Sequence, residues 1–323
     1  MSVDPIAASP VAHSRDGRQF AGVFLALLAL LIVAPFVAYP YFVMQALCFA
    51  LFACAFNLLI GYVGLLSFGH AMFLGLASYV CAHAAKVWGF DPALAILAGV
   101  ACAGVLGLVA GVLAIRSQGI YFAMITVALS QMIYFFCLEA PFTHGEDGIQ
   151  GVPQGRLFGL IDLSQTATLY VFVAAIFLFG FLAIYRTVNS PFGEVLKAIR
   201  ENELRAVSLG YRVARYKLVA FVLSAALAGL AGATKAIVLQ NASLTDVGFG
   251  TSGEVVLMTL VGGMGTLYGP VVGAVIVVAM QNYLAEYGEW VTAIQGAVFV
   301  ACVLMFRRGV VGEIANALKW TSL

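Results

Sequence analysis

Charge is scarce in this sequence. Of its 323 residues, 16 are Lys or Arg and 15 are Asp or Glu, while 63% are hydrophobic. That balance excludes an ordinary soluble chain, and a net charge of +1 removes any electrostatic case for nucleic acid. Cysteine is sparse as well. Cys48, Cys54, Cys81, Cys102, Cys137 and Cys302 all lie in apolar runs and form no C-x-x-C, so they read as packing residues rather than disulfides or a metal site. Catalytic motifs are missing. No lysine directly follows a glycine, which excludes a G-x-x-x-x-G-K-[ST] phosphate loop, and neither H-E-x-x-H nor G-x-S-x-G occurs. The chain is expected to be no enzyme and to hold no cofactor. If it moves a solute at the expense of ATP, the ATP and Mg belong to another polypeptide.

What is present is long apolar runs. They fall at 20–39, 41–60, 66–86, 93–115, 119–138, 168–187, 217–239 and 289–306, with a special stretch at 254–284. A helix needs about 20 apolar residues to cross a bilayer. The expected fold is an all-α, polytopic transmembrane helical bundle with re-entrant or broken helices, about 8 to 10 spans in all. Lys and Arg mark the inner side of short loops. Arg15 and Arg18 put a tail, 1–19, in the cytoplasm, and Arg307 and Arg308 do the same for 307–323. Between them, 20–306 forms the transmembrane domain, with an external loop at 139–166 and an internal loop at 186–217. Lys235 lies near a span end and is expected to snorkel.

An inside C-terminus requires an even number of crossings in 254–284. Its centre, Gly262-Gly-Met-Gly-Thr-Leu-Tyr-Gly-Pro270, is too rich in glycine and proline for one helix. The spacing predicts a re-entrant hairpin or two short spans. A second break is expected at Gly61–His70, and Gly64/Gly69/Gly75 loosely match Gly265/Gly269/Gly273. Paired interruptions of this kind point to a repeat around a central path; close helix packing is the other use of such glycines. Gly104, Gly107, Gly111, Gly229 and Gly232 read as helix contacts.

The internal loop is the one polar stretch of length. Ser190 can cap a helix and Pro191 suits its first turn. Phe192, Val195, Leu196 and Ile199 then follow amphipathic spacing, Lys197–Glu201 and Glu201–Arg205 are i, i+4 pairs, and Gly210 is a stop. The pattern predicts a short helix exposed to the cytosol, either a topology signal or a docking element.

Polar groups within spans are the candidates for a translocation path, since hydrocarbon penalises them unless they are paired or wet. These are Asn57, Ser67, His70, Tyr121, Thr126 and Glu254, with Gly262 and Gly263 at the second break. For His70 a structural bond is favoured over proton relay. Glu254 is the feature on which an ion-coupled secondary transporter, the alternative reading, would rest.

Four segments together resemble a known family. Gly61-Tyr-Val-Gly-Leu-Leu-Ser-Phe-Gly-His-Ala-Met-Phe-Leu-Gly75, Gln118-Gly-Ile-Tyr-Phe-Ala-Met-Ile-Thr126, Ala198-Ile-Arg-Glu-Asn-Glu-Leu-Arg-Ala206 with Gly210, and Gly262–Pro270 are similar, in order and spacing, to permease subunits of ABC importers for branched-chain amino acids. The Ser-Phe-Gly-His motif resembles the LivM-type subunit. The resemblance implies a bacterial inner-membrane assembly with a second, LivH-type permease, two cytosolic ATP-binding subunits and a periplasmic substrate-binding protein. It implies a substrate among Leu, Ile and Val or related small amino acids and amides. It also places Ala198, Ile199, Arg200, Glu201, Glu203, Arg205 and Gly210 against the ATPase as a coupling element, with Arg200, Glu201, Glu203 and Arg205 expected at its partner-facing edge.

Overall fold

Pro40 opens a helix that is apolar on every side, and such a helix has to be buried. This helix, α1 (Pro40–Asn57), continues through a π-helical turn, Leu58–Val63, and 89% of the apolar stretch is buried. Around it lie α5 (Thr166–Val188), α8 (Val213–Leu239), α9 (Phe249–Gly262) and α10 (Gly269–Leu284). On the far side of α8 pack α2 (Ala71–Lys86) and α3 (Pro92–Ala114). The next helix, α4 (Ile120–Glu139), is peripheral, with only 28% of its stretch buried. This computed structural model describes Phe24, 27–35, 38–157, Gly159, 161–284 and the isolated positions Ala293, Ile294, Gly296, Ala297, Val300 and Gly309.

Five of these helices are long and apolar enough to cross a membrane: Pro40–Val63, α3, α4, α5 and α8. The chain is a polytopic all-α membrane protein. The expected span at 289–306 and both tails lie wholly or largely outside the described residues, and the expected span at 20–39 is described only in part. Residues 27–35 are helical, and the Leu31 carbonyl there accepts from the Tyr170 hydroxyl of α5.

Both expected breaks are present. The first helix ends at Val63, and a non-helical, largely buried segment runs to His70 before α2 begins. The expected span from 66 therefore starts five residues late. At the second break, α9 and α10 form a hairpin of two short helices. At 1.5 Å per residue their lengths are about 21 and 24 Å, less than the ~30 Å hydrocarbon layer. They touch backbone to backbone: a Cβ on Gly273 would lie 1.8 Å from the Met258 carbonyl oxygen.

Small residues bring α3 and α8 together. A Cβ on Gly107 would meet Ala225 Cβ at 2.5 Å, and one on Gly229 would meet Ala103 Cβ at 2.4 Å. Such contact supplies the packing attraction that lipid cannot. Gly104 faces α8 less closely, a Cβ there meeting Ala226 Cβ at 4.0 Å.

The 139–166 loop is not a free connector. Strand β1 (Ile149–Gln150) pairs antiparallel with β4 (Asn241–Ala242), just after α8, and Val152 N donates to Gln240 O. A second two-stranded piece joins β2 (Arg156–Leu157) to β3 (Ile161–Asp162). There Asp162 accepts from the hydroxyl and backbone N–H of Ser164, bonds that hold its carboxyl below the usual range.

Candidate functional site

The two breaks meet. Asn57, on the last turn of α1, is 2% exposed. Its Nδ2 donates to Thr266 O (2.8 Å) and its Oδ1 accepts from Gly265 N (3.0 Å). An amide side chain has both a donor and an acceptor, so one Asn can hold two successive backbone groups of the hairpin turn. Thr266 closes that turn from within, donating to Gly263 O and accepting from Gly269 N. Gly61 has to be small here, because a Cβ would fall 2.4 Å from Asn57 Oδ1. Gly262 is just as constrained: a Cβ would fall 1.9 Å from Gly269 O. Gly263, at φ +120°, ends α9 in a conformation other residues rarely adopt.

The first break is held by other candidates. Thr126 of α4 is buried, donates to Ala123 O and accepts from Phe68 N (3.2 Å). Ser252 of α9 accepts from Ala71 N (3.0 Å). Irregular backbone at membrane depth needs such partners. Ser67 is fully buried, and its hydroxyl finds no partner among the described residues. His70 is enclosed by Phe52, Phe56 and Phe73. Its Nε2 lies 3.1 Å from Ser224 Oγ, whose own proton goes to Ala55 O. The imidazole is therefore the donor to Ser224, not a base acting on it. Tyr121 stands apart on the outer face of α4, 70% exposed.

Near the other end of α8 the expectation for Lys235 is corrected. Rather than snorkelling, Lys235 is buried in an ion pair with Asp246 and lies over the Phe49 ring. Asp246, in the loop after β4, gives no signal in sequence as a buried partner. Glu254 of α9 is half-buried and within electrostatic reach of Lys235 and Asp246.

The 186–217 loop folds as two helices, not one. Ser190 Oγ caps α6 (Pro191–Glu201) by accepting from Gly193 N. Asn202, in extended conformation, then ends α6 and caps α7 (Glu203–Ser208) by accepting from Arg205 N. That cap was legible, since Asn strongly favours this position. Because the helix restarts, the expected Glu201–Arg205 pair does not form, and the expected Lys197–Glu201 pair, within α6, is replaced by Lys197 with Glu194 (2.8 Å). Gly210 (φ +88°) closes α7 with the paired bonds of a Schellman motif, Gly210 N to Val207 O and Tyr211 N to Ala206 O.

The faces of this loop are divided. Leu196 is buried against the bundle, Ile199 is buried with Ala206 and Val213, and Phe192 stacks on Tyr216. Glu203 pairs with the buried Lys217 (2.8 Å). Arg200 reaches inward, donating through Nη1 to the Gly61 carbonyl. Ala198, Glu201 and Arg205 are exposed, and Glu201 and Arg205 have no ion pair among the described residues. Of the four residues expected at the partner-facing edge, two are engaged within the chain. Beyond Asn202, Leu204 is 80% and Leu209 70% exposed, with Val207 also open.

No group of His, Cys, Asp or Glu fit for a metal occurs among the described residues. What the arrangement can do is mechanical: an exposed loop, through α6, touches both helix breaks. Residues 38–306 match the family described as branched-chain amino acid transport system / permease component. The chain is 26% identical over 332 aligned positions to the high-affinity branched-chain amino acid transport system permease protein LivM of Escherichia coli K12, covering 91% of this chain and 76% of that protein. It is also 26% identical over 330 positions to the LivM protein of Salmonella typhimurium, covering 92% and 77%. No solved structure gives a significant match. This multi-pass chain belongs to the branched-chain amino acid transport permease family and is a membrane-spanning permease component of the ABC-importer type, not an enzyme.

Proposed function

We propose that this chain is the LivM-type half of a heteromeric importer that carries Leu, Ile, Val or related small amino acids and amides across a bacterial inner membrane. It works with a LivH-type permease, two cytosolic ATPases and a periplasmic binding protein. Relatives of that name support the substrate class. The observation that carries the coupling role is the divided internal loop. The apolar face of α6 is consumed by the chain itself. Leu204, Val207 and Leu209 remain open beside Glu201, Arg205, Arg212 and Arg215, an apolar patch in a mostly basic rim. A water-facing loop keeps such a patch for a partner. In this reading α7 and the Gly210 turn seat in the ATPase, while α6 passes the motion on. The exposed apolar faces of α3, α4 and α5 suit lipid and the second permease.

The test is affinity purification of tagged chain from native membranes. Recovery of a second permease and P-loop subunits, with ATP hydrolysis raised by a loaded binding protein, is the expected result. A partner-free oligomer without ATPase activity would favour an ion-coupled secondary transporter instead. Charge reversal at both Glu201 and Arg205 should strip the ATPase from the complex. Normal assembly and transport in that variant would remove the docking role.

A further inference from the structure

The last turn of a helix leaves carbonyls without intrahelical partners. In the π-helical turn, Leu59 O takes the amides of both Gly64 and Leu65. The Gly61 carbonyl is taken by Arg200, from a helix 139 residues away in sequence. A guanidinium is well placed there, at the negative end of a helix. The same guanidinium touches the second break. A Cβ on Gly265 would lie 3.2 Å from Arg200 Nη1 and 3.4 Å from Gly61 O. A Cβ on Gly64 would lie 3.3 Å from Arg200 Cγ. Gly64 and Gly265 both have positive φ, +81° and +76°. The two breaks thus turn at glycines that leave room for one side chain.

The electrostatics make this contact releasable. Arg200 has no carboxylate partner among the described residues, and its acceptor is a neutral carbonyl. Such a bond is weaker than a bidentate Arg–carboxylate pair. Arg200 is also exposed as a whole, so its head can exchange Gly61 for water. By contrast, Leu196 and Ile199 anchor α6 firmly. A displacement of α6 therefore carries Arg200 with it.

We propose that Arg200 is a positioning residue: a latch that ties the internal helix to the end of α1 and to the Gly263–Tyr268 turn together, so that moving α6 moves or frees both breaks. The importer reading supplies what pushes α6; the latch itself does not depend on it. Two readouts separate the two ideas. In full-length chain in nanodiscs, Arg200→Gln should speed amide hydrogen exchange about tenfold at Gly61–His70 and Gly263–Tyr268, the change expected for loss of one charge-assisted bond. In the reconstituted complex, Arg200→Gln should still bind the ATPase and hydrolyse ATP within about twofold of wild type, while uptake per ATP falls about tenfold. Arg200→Lys keeps the charge and should recover part of both; it carries the same readouts if the Gln variant fails to fold.

Unchanged exchange at both segments overturns the latch. Loss of ATPase binding with unchanged exchange overturns it too, and makes Arg200 a docking contact. If wild-type chain recovers no ATPase, the importer reading fails and the exchange comparison alone decides the latch.

Discussion

Asn57→Ala should loosen the hairpin turn more than its small volume change suggests. The substitution removes the bonds at 2.8 and 3.0 Å and leaves Thr266 O and Gly265 N without their partner. In soluble cores each orphaned group costs about 1–3 kcal/mol. Between membrane helices, side-chain hydrogen bonds average about 0.6 and reach about 1.7 kcal/mol. The lower scale is the better guide, because Gly265 and Thr266 are only half-buried and water can reach the turn beside Arg200. Two bonds then give about 1–3 kcal/mol. At about 2–4 °C per kcal/mol, the figure for domains somewhat smaller than this chain, that lowers an unfolding midpoint by roughly 2–12 °C. The assay is thermal unfolding in one detergent at one scan rate, since such transitions are commonly irreversible. Asn57→Leu separates the causes: it restores volume without polar atoms, so it should stay as low as alanine if hydrogen bonding is what matters. Uptake should fall in both variants. Midpoints and uptake equal to wild type in both would refute the claim that this amide holds the turn.

Two further outcomes follow from the packing. Lys235→Met strands a buried carboxylate at Asp246 and should destabilise the chain by about 3–5 kcal/mol, whereas Lys235→Met with Asp246→Leu should recover most of it; equal stability of single and double variants in the same thermal assay would contradict the buried pairing. Gly262→Ala places a methyl 1.9 Å from the Gly269 carbonyl, so folded yield by size exclusion and uptake should fall in parallel. A normal yield with lost uptake would assign that glycine to the path instead of to the hairpin contact.

Much of the scaffold was legible because it depends on local chemistry. Apolar runs of membrane length marked α1, α3, α4, α5 and α8, and the density of glycine and proline at Gly262–Pro270 required a break wherever the segment sat. The Ser190 cap and the Gly210 stop are short-range devices, and both are present. The pairing of charges was not legible. Glu201 and Arg205 have ideal spacing for one helix, yet the Asn202 cap turns the chain between them. Lys235 has the profile of a snorkelling residue until Asp246, eleven positions later, folds back under it.

By itself, then, the sequence determined which segments are apolar enough to be buried, where the helices must be interrupted, and which long loop is polar. Those properties come from hydrophobic length, missing Cβ atoms and backbone capping, which act over a few residues. Tertiary structure alone decided that Asn57, Gly61, Arg200 and Gly265 share one junction. The reason is physical: a donor carries no sequence mark of the acceptor it will meet, and Gly61 and Arg200 become neighbours only after α1, α6 and the α9–α10 hairpin have packed.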